Sequence, residues 1–221
     1  MALALLVAVE GAQHVSPAAA TCDGESARAK ATAATIEADR PLRGADKMTA
    51  FVRDLGGRLA RRDAAATQRW SFVVVRNHAA NAFAVGDGRI YVNDGAIDAC
   101  ATESELAAMI AHEMGHQLAN HFCGPESRSG LRRRMGGVVQ HIDPEKELEA
   151  DRVAVQVLSA AGYDPRAALT VAIRIATAQP SGAQPDEARI QALRQLVESA
   201  PAGGRIDSDA FQRLKRGDAP R

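Results

Sequence analysis

The stretch "IAHEMGHQLANH", residues 110–121, decides how this chain is read. It lies in a proline-free run and holds two histidines four positions apart, with a glutamate directly after the first. At 3.6 residues per turn, His112 and His116 share one helical face, one turn apart. Two imidazoles so placed can bind one Zn2+ at about 2.0 to 2.1 Å from each nitrogen. Glu113 sits beside that face, too close in sequence to chelate comfortably with both, and can instead reach a water on the metal. That is the H-E-x-x-H division of labour: two ligands and a general base. The plain alternative is an Ala-rich helix with a few polar residues. With six histidines in 221 residues, the pattern arises by chance in roughly one chain in a hundred, so a third ligand has to be found.

Catalytic zinc takes three protein ligands and keeps a position open. The segment "ELEAD", residues 147–151, offers a carboxylate on a second helix. Glu147 and Asp151 are one turn apart on a shared face, while Glu149 points nearly the opposite way. Glu147 is therefore the expected third ligand, and Asp151 is placed to orient a ligand histidine through its second ring nitrogen. A solvated acidic helix start would suit Glu145 and Glu149 better than the Glu147/Asp151 pair. A metzincin would carry a third histidine six residues after the second; His121 comes five after His116 and reads as a polar residue near the helix C-terminus. His14, His78 and His141 take structural or solvent-facing readings, His141 being the one nearest Glu147 in sequence.

The rest of the chain frames these helices. At 46% hydrophobic and 24% charged residues, with a net charge of +0, the composition is that of a globular protein with no global field to attract nucleic acid. The cationic run Arg132-Arg133-Arg134 reads as solvated loop. No apolar run approaches the roughly 18 to 20 residues that span a bilayer. Leu3 to Val9 followed by Ala18-Ala19-Ala20 is expected to be an export signal, although no basic residue precedes it and Glu10 interrupts it. Export would place the chain in the periplasm or outside the cell, and its lack would leave it in the cytoplasm. A helix from 102 to 121 would hold Cys100 and Cys123 roughly 30 Å apart at ~1.5 Å per residue. Those two therefore cannot pair, which leaves Cys22 with either, or no bridge.

Apolar spacing at Met48, Phe51, Val52, Leu55 and Leu59 predicts one amphipathic helix within 23–66. Strands are expected at 69–77 and on either side of the Gly86-Asp87-Gly88 turn, the last at Arg89 to Val92. Thr102-Glu103-Ser104-Glu105 matches a capping box that opens the H-E-x-x-H helix. Residues 122–142, with Gly124-Pro125, Gly130 and Gly136-Gly137, read as loop or loop with one short helix. Asp143-Pro144 starts the next helix and Gly162 stops it. Further helices are expected at 165–178 and 186–199.

Together, "NAFAVGDGRIYVNDGAI", "ESELAAMIAHEMGHQLANH" and "ELEADRVAVQVLSAAGYDPRAAL" resemble peptidase family M48, the zinc metallopeptidases that include the CAAX prenyl endopeptidases and the heat-shock peptidase HtpX. The resemblance covers roughly 68–198 and implies the same roles: His112, His116 and Glu147 as ligands, Glu113 as base, Asp151 behind the ligands. It further implies that the strand Arg89, Ile90, Tyr91 and Val92 edges the cleft, where an extended substrate would add as a strand. Arg189, in the family's last helix, would hold the site or a substrate carbonyl, or form a structural salt bridge. Family members often carry a His-Pro pair before that helix; here it is Gln184-Pro185, so self-inhibition through that histidine is not expected. The short segment between the two zinc helices implies a small lid or none, and the lack of membrane spans points to the soluble members.

The expectation is an α+β, zincin-like (gluzincin) domain, mostly helical, with a small β-sheet packed on the H-E-x-x-H helix. It divides into a candidate export signal at 1–21, a helical region at 22–66, the metallopeptidase domain at 67–200 and a flexible tail at 201–221. The expected function is a zinc metalloendopeptidase with one Zn2+ per chain, acting on extended or unfolded polypeptide, with no nucleic acid partner and no signal for an oligomeric state. Two alternatives use the same residues. One is a zinc-stabilised, chaperone-like module that holds extended segments, against which the intact Glu113 argues. The other is an amidase acting on a non-protein substrate.

Overall fold

Side-chain alternation along three short strands sets the layers of the protein. In the computed structural model, which describes residues 22–61, 63–123, 131–135, 138–177 and 186–217, β1 (Ser71–Val75), β2 (Ala82–Ala84) and β3 (Arg89–Asn93) form a sheet of order β1-β3-β2. The export segment, His14 and Gln184-Pro185 lie outside the described residues, as do the side chains of His141 and of Arg132-Arg133-Arg134. β1 runs parallel to β3, pairing Val73 with Tyr91, and β2 runs antiparallel to it, pairing Phe83 with Tyr91. Phe72, Val74, Ala82, Ala84, Ile90 and Val92 point into the main core, and Val75, Phe83, Val85 and Tyr91 into a second cluster on the other face. Both faces are buried because successive residues of a strand point to opposite sides and a helical layer covers each.

The second cluster is closed by α1 (Glu25–Asp39), which the sequence reading did not separate from the rest of 23–66. Its buried seam is Ala29, Ala33 and Ile36. Two alanines and one isoleucine at helical spacing leave a weak apolar signal, so the stripe is hard to see until the sheet lies beneath it. The predicted amphipathic helix is α2 (Lys47–Leu59), capped by Asp46, whose carboxylate accepts from Thr49 N–H. The β2–β3 turn is held by Gly88 at φ +66, where a Cβ would lie 1.9 Å from the Arg69 carbonyl oxygen, so glycine is required there.

After a short α3 (Asp94–Ala99) comes α4 (Glu103–Leu118), the H-E-x-x-H helix. Thr102 caps it as expected, accepting from Glu105 N–H, but Glu105 does not complete the capping box on Thr102. Its carboxylate takes the Ala101 amide at 2.6 Å and two nitrogens of Arg174 at 3.0 and 2.9 Å. Two further orphan amides of the helix start are satisfied from the chain's end: Ser104 N–H donates to the Ile206 carbonyl and Glu103 N–H to Asp207. This corrects the expected loose tail at 201–221. Residues 201–217 dock on α4, where buried Glu103 also accepts from Ser208 and Tyr163, and α8 (Asp209–Lys215) buries Phe211 completely.

The segment between the zinc helices is a second correction. Leu131–Met135 (β4) and Val138–Ile142 (β5) form an antiparallel hairpin in which Met135 pairs with Val138 and Leu131 with Ile142. The Gly136-Gly137 pair, read as loop, is also a two-residue hairpin signature. α5 (Pro144–Ala160) follows with Asp143 as its N-cap. It ends in a Schellman motif, with Gly162 N–H to the Ser159 carbonyl and Tyr163 N–H to that of Leu158. α6 (Ala167–Thr177) and α7 (Glu187–Ser199) complete the helical layer. The architecture is α+β, mostly helical, with one small three-stranded sheet. Among the described residues no helix is long and apolar enough to cross a membrane. Cys22 is bonded to Cys123 and Cys100 is free and buried, one of the arrangements left open once Cys100 and Cys123 could not pair.

The closest helix packing lies between α4 and α5. A Cβ on Gly115 would sit 2.5 Å from the Ala150 carbonyl oxygen and 3.0 Å from its Cα. Because the obstruction is backbone, Gly115→Ala should push the two helices apart and cost about 1 to 3 kcal/mol of stability. Urea unfolding of both proteins, zinc-free, checks the cost; equal stability would mean that the contact is not tight.

Candidate metal centre

With α4 and α5 in that contact, the donor atoms of three residues converge. His112 Nε2 and His116 Nε2 are 3.2 Å apart, and each lies 3.4 Å from a carboxylate oxygen of Glu147. Ligand atoms 2.0 to 2.1 Å from a tetrahedral ion are themselves separated by roughly 3.3 Å. These separations match that spacing, with a different Glu147 oxygen next to each imidazole (Oε2 by His112, Oε1 by His116), and the donor set, two imidazoles and a carboxylate, is one that Zn2+ takes. These are the three residues that the sequence pattern named, and the structure brings them together. A second group, Cys22, Glu25 and Cys123, is also close enough to hold an ion, but its sulfurs are spent on the disulfide.

The remaining nitrogen of each histidine is occupied. His112 Nδ1 lies 2.8 Å from Asp151 Oδ1, the contact expected from the one-turn spacing of Glu147 and Asp151. Burial alone would lower the pKa of His112, but its bonds to Asp151 and Glu147 win and raise it to about 10. His116 Nδ1 lies 2.9 Å from His121 Nδ1, a partner the sequence reading missed. His121 was assigned to the helix C-terminus, but α4 ends at Leu118, and Asn120 at φ +59 turns the chain back so that the His121 ring meets His116. The signal was present as the five-residue interval in "HQLANH". Glu149, expected to face away from the ligands, is half exposed and bonds His121 Nε2 at 3.1 Å. Burial lowers the pKa of both His116 and His121.

Arg189, from α7, brackets the carboxylates. Its Nε and Nη2 donate to the two oxygens of Asp151 at 2.7 and 2.8 Å, and its Nη1 to Glu147 at 2.8 Å. Of the roles considered for it, the structure places it in the salt-bridge role, with its guanidinium edge turned to these carboxylates. Burial would raise the pKa of Asp151, but the Arg189 and His112 contacts hold it at about 2. Glu147 lies well below the usual carboxylate range, held there against burial by the two histidines.

Glu113 lies one residue around α4 from His112. Its Oε2 accepts the Ala84 amide of β2 at 2.9 Å. Burial is the leading influence and the negative charge of Glu147 acts in the same direction, so its pKa rises to about 7 despite His112. The strand named as the cleft edge requires a correction: β3 is the central strand, paired with β1 on one side and β2 on the other. Ile90, Tyr91 and Val92 already have a strand on each side and cannot receive an added one. The strand at the margin nearest Glu113 is β2.

The sequence profile of peptidase family M48 matches residues 46–135, which contain His112, Glu113 and His116. This region is similar to peptidase family M48. The chain is 29% identical over 131 residues to the mitochondrial metalloendopeptidase OMA1 of Schizosaccharomyces pombe, a match covering 50% of this chain and 39% of that protein. It is 27% identical over 162 residues to the beta-barrel assembly-enhancing protease of Yersinia pestis, covering 60% of this chain and 33% of that one. The match thus spans well under half the length of these relatives. The M48 match also stops before α5, so the parts given to Glu147, Asp151 and Arg189 rest on the geometry above.

The raised pKa of Glu113 carries a stability consequence. A carboxylate whose folded pKa is about 7 against 4.5 unfolded favours the fold fully below pH 4.5, and that contribution is lost as pH rises through 7. Glu113→Gln keeps an oxygen for the Ala84 amide without a charge to bury. In zinc-free protein it should be more stable than wild type at pH 8, with the gap closing below pH 4.5. Urea unfolding across that range measures it; a pH-independent difference would show that burial does not tune Glu113.

Proposed function

We propose that this protein is a zinc metalloendopeptidase of zincin-like fold, holding one Zn2+ through His112, His116 and Glu147. The observation that carries this reading is the convergence of His112, His116 and Glu147, with imidazole–imidazole and imidazole–carboxylate contacts of 3.2 to 3.4 Å, beside the buried carboxyl of Glu113. The ion supplies Lewis acidity, acidifying a water and polarising the scissile carbonyl. Glu113 takes the proton of the attacking water and returns it to the leaving amine, the role for which its carboxylate is placed, one residue around α4 from His112. Asp151 keeps His112 facing the centre, and Arg189 offsets the two buried carboxylates.

The substrate is proposed to be extended polypeptide, as in unfolded or misfolded proteins, lying along β2. Asn93 N–H donates to the Asn81 carbonyl and Val85 N–H to that of Arg89, so those β2-side residues face β3. Ala82 and Ala84 consequently direct their backbone groups to the opposite side, where Ala84 meets Glu113. Recognition through strand backbone asks little of the substrate's side chains. The Cys22–Cys123 bond favours an oxidising compartment, in keeping with export to the periplasm or beyond.

The deciding experiment compares zinc content and cleavage of a reduced, alkylated protein by wild type and Glu113→Gln. Both should hold one zinc per chain, with cleavage by the variant lower by about 100-fold or more and wild-type cleavage abolished by a chelator. Zinc in both and cleavage by neither would move the assignment to the chaperone-like module.

A further inference from the structure

We infer that His121 is a positioning residue for the metal ligand His116, acting as the neutral acceptor that fixes the tautomer of that ligand. The inference rests on the zinc reading above and goes beyond it to a residue outside the set of His112, His116 and Glu147. His116 Nε2 faces Glu147 and His112 at 3.4 and 3.2 Å. An imidazole that gives its Nε2 lone pair to a metal must carry its proton on Nδ1. At His116 that Nδ1–H meets His121 Nδ1 at 2.9 Å, which must therefore accept. His121 then carries its own proton on Nε2, where Glu149 Oε2 stands 3.1 Å away to receive it. The series His116, His121, Glu149 has one consistent direction of donation, and the metal sets it.

The backbone supports a built device. His121 N–H donates to the His116 carbonyl at 3.0 Å, the left-handed Asn120 makes the return possible, and the His121 side chain is only 6% exposed. Lys146 Nζ donates to the His121 carbonyl at 3.4 Å, and the Cys22–Cys123 bond fastens the chain two residues further on. The two histidine ligands are thus supported differently: His112 by an anionic carboxylate bracketed by Arg189, His116 by a neutral imidazole whose anion is one step away and half exposed. Outer partners of ligand histidines govern metal affinity as well as orientation.

The test uses the full chain and zinc itself. His121→Phe should weaken zinc binding by about 10- to 100-fold in competition with a chromophoric chelator, with thermal unfolding of the zinc-free form unchanged. His121→Asn, whose side-chain oxygen falls close to where Nδ1 was, should recover most of the affinity. In zinc-loaded wild type labelled with 15N-histidine, long-range proton–nitrogen correlations should show His121 protonated on Nε2 and bare on Nδ1. Wild-type affinity in His121→Phe, failure of Asn to restore what Phe loses, or a proton on His121 Nδ1 would each overturn the inference. A wild type that binds no zinc would overturn the zinc reading itself and this inference with it.

Discussion

The contact between Gly115 and the backbone of Ala150 is the constraint on which the centre depends. α4 and α5 could cross at an ordinary distance of 8 to 10 Å and still share an apolar interface. The donor atoms would then be too far apart for one small ion. With no side chain at Gly115, the backbones approach until a Cβ would stand 2.5 Å from a carbonyl oxygen. Only at that separation does Glu147 come within 3.4 Å of both histidines. Gly115, the residue directly before the second histidine of H-E-x-x-H, thus sets the dimensions of the site, although it contributes no atom to it.

That closeness concentrates charge where water is scarce. Glu113 on α4 and Glu147 and Asp151 on α5 are gathered around His112, and a buried carboxylate without partners is costly. Arg189 meets this cost for Glu147 and Asp151 by spending its Nε and both terminal nitrogens on them. Glu113 is left outside the bracket with a single amide for a partner, and its pKa rises while those of the other two fall. Three carboxylates of similar intrinsic acidity are separated into two permanent anions and one group poised near neutrality. That split is how an acid or base assignment is recognised.

Much of the centre was legible because helical periodicity is exact over short intervals. His112 with His116 and Glu147 with Asp151 are each one turn apart, so the sequence alone places each pair on a face. What it does not contain is the pairing of strands. Arg89 to Val92 reads equally well as an edge or a centre, since burial on both faces is decided by which helices lie over the sheet, and α1 announces itself only through Ala29, Ala33 and Ile36. The β4–β5 hairpin was hidden by glycines that serve loops and tight hairpins alike. The docking of 201–217 was hidden because its anchors, the orphan amides of Glu103 and Ser104, are backbone groups that every sequence has. His121 escaped because the interval five has no place in helical periodicity; it became meaningful only after the helix ended at Leu118.

One step around α4, the same spacing is used again. Glu113 and Gln117 follow His112 and His116 directly, so the helix carries two adjacent stripes about 100° apart. The first stripe faces α5 and holds the ligand nitrogens. The second faces the sheet: Glu113 takes the Ala84 amide at 2.9 Å, and Gln117 takes the Gly88 amide at 3.1 Å while donating to Glu25 at 2.8 Å. Positions 84 and 88 lie on either side of the β2–β3 turn. The helix therefore grips that turn at both ends with side chains one turn apart, and Glu25 ties the grip to α1 by also accepting the Asp87 amide at 2.8 Å. Glu113 and the strand margin are consequently set by one register. A shift of α4 along the sheet large enough to free Glu113 would also have to break the Gln117 contacts and, through Glu25, disturb the α1 end that the Cys22–Cys123 bond fastens. The position of Glu113 relative to β2 is held as firmly as the positions of His112 and His116 relative to α5.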